Sequence, residues 1–125
     1  MGCLPPIQRW ITGGTALQLI DKKELETGRI TGILPVQGGP SLPVWMVCGV
    51  SDGPTLVLTA GVHGCEYVGI MTLRRLFAQL SPAKIRGRVI LLPLVNGEGF
   101  YIGSKQVVPS DGKNINRVFP PPDEG

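Results

Sequence analysis

The chain is poor in several things, and each shortage removes a class of function. It holds one histidine, two Trp, two Tyr, three Phe and a net charge of only +3. Its basic residues are scattered: Lys22 and Lys23, Arg74 and Arg75, then Lys84, Arg86 and Arg88. Without a dense basic run interleaved with aromatics there is no footprint for nucleic acid. The longest apolar run, residues 89–95, is far short of the ~20 residues that span a bilayer, so no membrane association is expected. Residues 1–10 lack an apolar core of signal-peptide length, and Pro6 stands where a myristoylation signal wants Ser or Thr. The three cysteines, Cys3, Cys48 and Cys65, form neither a CxxC spacing nor an even-numbered framework. Reduced thiols in a cytoplasmic protein are the simpler expectation.

What is present is globular. Apolar residues make up 42% of 125 residues, enough for one modest core, and 18 Gly with 12 Pro imply many tight turns. Residues 1–27 read as a poorly defined lead-in, in which 16–26 could be a short helix or irregular. Residues 28–125 read as the organised part. Residues 29–36 (RITGILPV), 42–50 (LPVWMVCGV) and 55–60 (TLVLTA) have strand composition, separated by Gly38-Gly39-Pro40 and Ser51-Asp52-Gly53-Pro54 as turns. Their short connections predict three antiparallel neighbours. From 66 to 80, Ile70, Leu73, Leu76, Phe77 and Leu80 form an apolar stripe of helical period that Pro82 closes. Residues 89–95 (VILLPLV) suit a strand buried on both faces, with Pro93 near its end. Strand, helix and strand over 55–95 make a βαβ unit with a parallel pair. The fold class is therefore α/β, a mixed sheet with an antiparallel entrance and a βαβ unit. In such sheets ligands gather at the carboxyl ends of the strands, where His63 and Asn96 fall.

His63 and Glu66 lie three residues apart in the loop entering the helix. An imidazole and a carboxylate are good zinc ligands, and Gly61 and Gly64 allow the loop to turn both toward one ion. Taken alone, the pair reads more readily as a strand-end surface with an acidic helix start. Cys65, between them, is a soft donor, but a residue between two ligands normally points elsewhere.

A second constellation is Asp111-Gly112-Lys113-Asn114-Ile115-Asn116-Arg117. Asp-Gly and Lys-Asn are ordinary turn chemistry. Equally, Arg117 offers a planar fork to a carboxylate and Asn116 a neutral donor beside it. Asn96 follows a buried strand as a turn former, and Gly97-Glu98-Gly99 does not match a phosphate-binding loop.

Together these pieces carry a resemblance. Gly53-Pro54, TLVLTAGVHGCEYVGI (55–70), RVILLPLVN (88–96) and DGKNINRVFP (111–120) are similar, in order and spacing, to the succinylglutamate desuccinylase/aspartoacylase family of the zinc carboxypeptidase superfamily. The likeness covers about residues 28–120 and implies part of a carboxypeptidase-like fold. By this resemblance His63 and Glu66 match the first two Zn2+ ligands. Asn116 and Arg117 match a pair that holds the substrate carboxylate, and Asp111 and Gly112 the loop presenting it. The implied reaction is zinc-assisted hydrolysis of the amide of a small N-acyl amino acid or related acyl amide.

Three departures qualify it. Family members often carry an Arg before the DG motif; here Lys105 is the available cation, a point charge of weaker directionality. The usual FPG ending is Phe119-Pro120-Pro121-Pro122. The family's third ligand is a downstream His, and its general base is a Glu beyond it, yet this chain has no second histidine. The sequence therefore reads as the amino-terminal portion of a longer enzyme, with no catalytic base of its own and little hydrolase activity in isolation. Two other readings stay open: a non-catalytic anion- or partner-binding α/β module, and a zinc carboxypeptidase acting on peptides.

Overall fold

The computed structural model describes residues 21–26 and 28–118. Five strands, β1 (Asp21–Glu26), β2 (Arg29–Leu34), β3 (Leu42–Cys48), β4 (Ser51–Thr59) and β5 (Arg86–Leu92), form one mixed sheet in the order β1-β2-β3-β5-β4. The pairs β1–β2, β2–β3 and β3–β5 are antiparallel, and β4–β5 is parallel. Helix α1 (Tyr67–Gln79) connects β4 to β5 and completes the βαβ unit. A second, short helix, α2 (Gly97–Ile102), follows β5.

Register explains which residues meet on each face, because cross-strand partners share a face and consecutive residues alternate. Trp45 pairs with Leu91 and Val47 with Val89; Leu91 in turn pairs with Leu58 and Val89 with Leu56. That face receives the apolar stripe of α1. Val47, Ala60, Leu73, Phe77 and Leu91 form its buried centre, with Ile70, Leu76 and Leu80 packed around it. Trp45 and Phe77 meet at 5.2 Å between ring centroids, tying sheet to helix. The opposite face gathers Ile30, Met46 and Cys48, with Ile90 against them. β3 and β5 are thus apolar on both sides, as expected for inner strands.

Four local expectations change. Residues 21–26, read as helix or lead-in, form β1; residues 16–20 lie outside the described residues. Lys22, Lys23, Glu24 and Glu26 have fair helix propensity, but ladder pairing with β2 overrides so weak a local preference. Ser51-Asp52-Gly53-Pro54, read as a turn, instead opens β4, with a register shift between Ser51 and Thr55.

The strand over 55–60 is not a neighbour of β3, because β5 lies between them. The chain makes that hop in two residues by passing beneath the start of β5. Gly49 donates its N–H to the carbonyl of Gly87 at 2.7 Å. A Cβ on Gly49 would collide with the Ile85 carbonyl, and one on Gly87 with the backbone of Gly53 and Pro54. Glycine serves close backbone approach here, which in sequence is indistinguishable from a turn. Finally, Cys48 is disulfide-bonded, so the expectation of three reduced thiols fails for it, while Cys65 is free and exposed. Among the described residues no helix is long and apolar enough to cross a membrane.

Candidate metal and anion site

The site grows from the carboxyl ends of the parallel pair. Past β4 and β5 the two chains stay tied: Val95 N–H donates to Ala60 O at 3.0 Å, and Asn96 N–H to Gly61 O at 2.8 Å. Gly61 takes a left-handed backbone, φ 63°, which lets the chain leave the sheet at that point. Gly64 does a different job from the freedom of rotation expected of it. Its φ is not positive, but it is buried, and a Cβ there would strike the backbone of Gly99 in α2 and the Ser104 carbonyl. The His63–Glu66 loop therefore sits directly on α2.

Asn96 holds α2 in place. Only 2% exposed, it caps the helix by accepting from Gly99 N–H at 2.9 Å and donates from Nδ2 to Val107 O at 3.2 Å. It acts as scaffold, joining β5, α2 and the following loop. An edge-on contact between Tyr67 and Phe100, 5.6 Å between centroids, adds a second clasp between α1 and α2.

On this platform His63 and Glu66 converge. His63 Nδ1 lies 2.8 Å from Glu66 Oε1. Glu66 is the N-cap residue of α1, yet its carboxylate makes no capping bond and turns to the imidazole. His63 Nε2 lies 3.0 Å from Asn114 Oδ1. The His63 pKa is raised above its ordinary value, first by the bond to Glu66 and next by that to Asn114, while Arg117 opposes the shift through its charge. Arg117 thus acts electrostatically on the His63 imidazole.

Asn114 is the residue that sequence reasoning missed. It lay inside the quoted DGKNINR run, but its contact with His63 spans 51 positions, which no local pattern displays. Only its local role had a signal. Its Oδ1 accepts from Asn116 N–H at 3.0 Å, the side-chain-to-backbone turn typical of Asn, and caps the 3-10 turn Ile115–Arg117.

The remaining candidates separate into scaffold and open groups. Asp111 Oδ1 accepts from Lys113 N–H at 2.9 Å, and Gly112 is left-handed at φ 68°. Together they shape the loop that delivers Asn114 to His63. Asn116 and Arg117 are exposed, with Arg117 Nη1 donating to Asn116 O at 3.2 Å. Lys105 is exposed, and its carbonyl accepts from the Cys65 thiol at 3.3 Å, which turns Cys65 toward that loop. The stretch Phe119–Pro122 lies outside the described residues.

The donor chemistry of His63 and Glu66, one imidazole nitrogen and one carboxylate oxygen, fits a zinc ion. Among the described residues no group of three or more His, Cys, Asp or Glu converges, where a catalytic zinc uses three protein ligands.

Comparison with known proteins bears on the family and the fold. The Succinylglutamate desuccinylase/Aspartoacylase catalytic domain family matches residues 52–125. An N-alpha-acetyl-L-2,4-diaminobutyric acid deacetylase from Halomonas elongata is 40% identical over 88 residues, 70% of this chain and 25% of that protein. A succinylglutamate desuccinylase/aspartoacylase from Rhodobacter sphaeroides superposes with a TM-score of 0.65 at 34% identity, over 88% of this chain and 36% of that one. An aspartoacylase family protein from Mesorhizobium loti gives 0.66 at 39% identity, over 78% and 32% respectively. The chain thus spans about a quarter of the deacetylase and about a third of each solved structure. With the family match over more than half of its residues, the chain belongs to the succinylglutamate desuccinylase/aspartoacylase family.

Proposed function

We propose that this chain carries the amino-terminal share of a zinc-dependent deacylase site that cleaves the amide of small N-acyl amino acids. The observation that carries the reading is the convergence of His63 Nδ1 and Glu66 Oε1, 2.8 Å apart, just beyond the carboxyl end of β4. His63 and Glu66 would hold the metal, whose contribution when bound is Lewis acidity toward an acyl-amide carbonyl and a bound water. Arg117 and Asn116 would receive the substrate's carboxylate. The guanidinium is exposed, and its planar fork has N–H donors beyond the one given to Asn116 O. Asn96, Gly64 and Asp111 keep the two loops in register. The deacylase reading is preferred to a carboxypeptidase because the curated relative is a deacetylase of an N-acetylated amino acid. A third ligand and a general base would have to come from outside the described residues.

The test is zinc titration of the 125-residue chain by calorimetry, with His63→Ala as control. Binding weaker than about 10 μM, worth less than ~7 kcal/mol, and abolished in the variant is expected of a two-ligand site. Affinity unchanged by His63→Ala would remove the metal assignment. Without the missing base, the chain alone should not hydrolyse an N-acetyl amino acid in the presence of zinc. Rapid turnover would show that the catalytic set is complete without further residues.

A further inference from the structure

We infer that Glu98 is a positioning residue for the carboxylate-binding arm of the site: from α2 it holds the turn that delivers Arg117. The inference rests on the carboxylate role of Arg117 proposed above and extends it to a side chain that reading does not use.

Glu98 stands in the first turn of α2, where an acidic residue ordinarily favours its own helix. Here Asn96 Oδ1 takes the Gly99 N–H, and the Glu98 carboxylate reaches away from the helix. Its Oε2 accepts from Ser110 N–H at 3.1 Å, joining α2 to the loop that precedes Arg117.

Ser110 lies in a closed turn. Val108 N–H donates to Lys113 O at 2.9 Å, while Gly112 and Asp111 N–H both donate to Val108 O, at 2.8 and 3.3 Å. Asp111 Oδ1 takes the Lys113 N–H as well. Residues 108–113 therefore move as one piece. Whatever fixes that piece also fixes the 3-10 turn Ile115–Arg117, which begins one residue later.

Among the described residues, hydrogen bonds hold the piece at three places. At its entry, Val107 O accepts from Asn96 Nδ2 and from Ser104 Oγ. At its exit, Asn114 Oδ1 meets His63 Nε2. Two such contacts leave a rigid turn able to rock about the line through them. Glu98 supplies the third, within the turn itself, and stops the rocking. This matters because Arg117 is exposed. An exposed guanidinium on an untethered loop must be ordered by its ligand, and the cost of that ordering comes out of the affinity.

The bond and the charge of Glu98 act in opposite directions, which makes them separable. A negative charge in the site works against an anionic substrate, so any gain must come from the bond. Glu98→Gln removes the charge but keeps a side-chain oxygen that can accept from Ser110 N–H; Glu98→Ala removes both. N-acetylglycine is titrated into the nitrogen-15-labelled 125-residue chain, with affinity read from the backbone amide signals of residues 114–118. Wild type, Arg117→Ala, Glu98→Ala and Glu98→Gln are compared, with circular dichroism to confirm folding. Amide hydrogen exchange at Ser110 reads the bond itself. The expected result is a Ser110 N–H protected in wild type and Glu98→Gln but exchanging freely in Glu98→Ala. Binding should fall about tenfold in Glu98→Ala, the scale of one hydrogen bond to a charged group, and hold at or above the wild-type level in Glu98→Gln.

The two failures look different. If Arg117→Ala binds N-acetylglycine as well as wild type, the carboxylate reading falls and this inference with it. If Arg117→Ala loses the probe but Glu98→Ala keeps it, the carboxylate reading stands and the role of Glu98 is overturned. Equal weakening in Glu98→Ala and Glu98→Gln overturns it too. An unprotected Ser110 N–H in the wild type does so without any variant.

Discussion

Arg29 lays its guanidinium 4.3 Å from the centre of the Phe77 ring and donates from Nη1 to the carbonyl of Leu80 at 2.6 Å. One side chain of β2 thus serves the last turn of α1 twice, through the aromatic face and through a backbone carbonyl that the helix end leaves open. Arg29 is only 9% exposed, so both contacts are made largely out of water. A hydrogen bond from a charged donor and a desolvated cation–π contact are each worth about 1–2 kcal/mol. Arg29→Met, which keeps length and apolar bulk, is expected to lower the urea-unfolding free energy by about 2 kcal/mol. Arg29→Lys should recover little, because an ammonium does not reproduce the planar fork. A loss within experimental error for Arg29→Met would show that the pair does not stabilise the helix–sheet contact.

Much of this arrangement was legible in the sequence, and what was not has physical causes. The stripe from Ile70 to Leu80 and the apolar run through Val89–Leu92 announced α1 and β5, because burial on one face or two leaves a periodicity. The His63-to-Glu66 spacing and the Asn116-Arg117 pair were visible as motifs. Strand order was not: the two-residue link from β3 to β4 suggested neighbours, and only the glycine crossing at Gly49 and Gly87 separates them. Asn114 was hidden for a similar reason. Its short-range bond to Asn116 is ordinary turn chemistry, while its contact with His63 exists only after β4, β5 and the 108–117 loop have been brought to the same end of the sheet.

The closeness of the site loop to α2 makes Gly64 a sharper probe of geometry than the ligands themselves. Gly64→Ala would set a Cβ against the Gly99 backbone and the Ser104 carbonyl, neither of which can swing aside as a side chain could. Overpacking of this kind costs about 1–3 kcal/mol and moves the loop. The expected outcome is a measurable loss of thermal stability together with weaker zinc binding. Gly97→Ala, where an added Cβ meets nothing within 4 Å, should leave both unchanged and serves as the control. Equal effects from the two substitutions would mean that the loop does not depend on that contact.

Acidity supplies a third test. The pKa of His63 is raised in the folded chain, chiefly by Glu66 and then by Asn114. Without metal, the folded state holds that proton more tightly than the unfolded state. Its contribution to stability is therefore full below about pH 6.5 and fades as pH rises through the raised value. Zinc must displace a ring proton, so zinc affinity moves the other way, weakening as pH falls through the same value. Titration of the single histidine by NMR should give a pKa above 6.5. Glu66→Gln should lower it more than Asn114→Ser does, in keeping with the order of the two causes. A wild-type pKa at or below the unperturbed value would contradict the geometry of both bonds.

The outer edge of β4 gives the last prediction. β4 ends the sheet, paired only with β5 among the described strands, and Leu56 and Val57 are 54% and 52% exposed on its two faces. Thr55–Thr59 contains no charge and no proline, the devices that normally keep an edge from pairing with another chain. A strand apolar on both faces has the composition of an inner strand, so this edge is expected to be adhesive wherever nothing covers it. Sedimentation velocity of the isolated chain should show concentration-dependent association. Val57→Lys should shift it toward monomer while changing stability by no more than about 0.5 kcal/mol, since the position is exposed. Association that persists unchanged in the variant would place the contact elsewhere on the surface. A wild-type chain that stays monomeric throughout would show that the ladder groups of β4 are satisfied without a second strand.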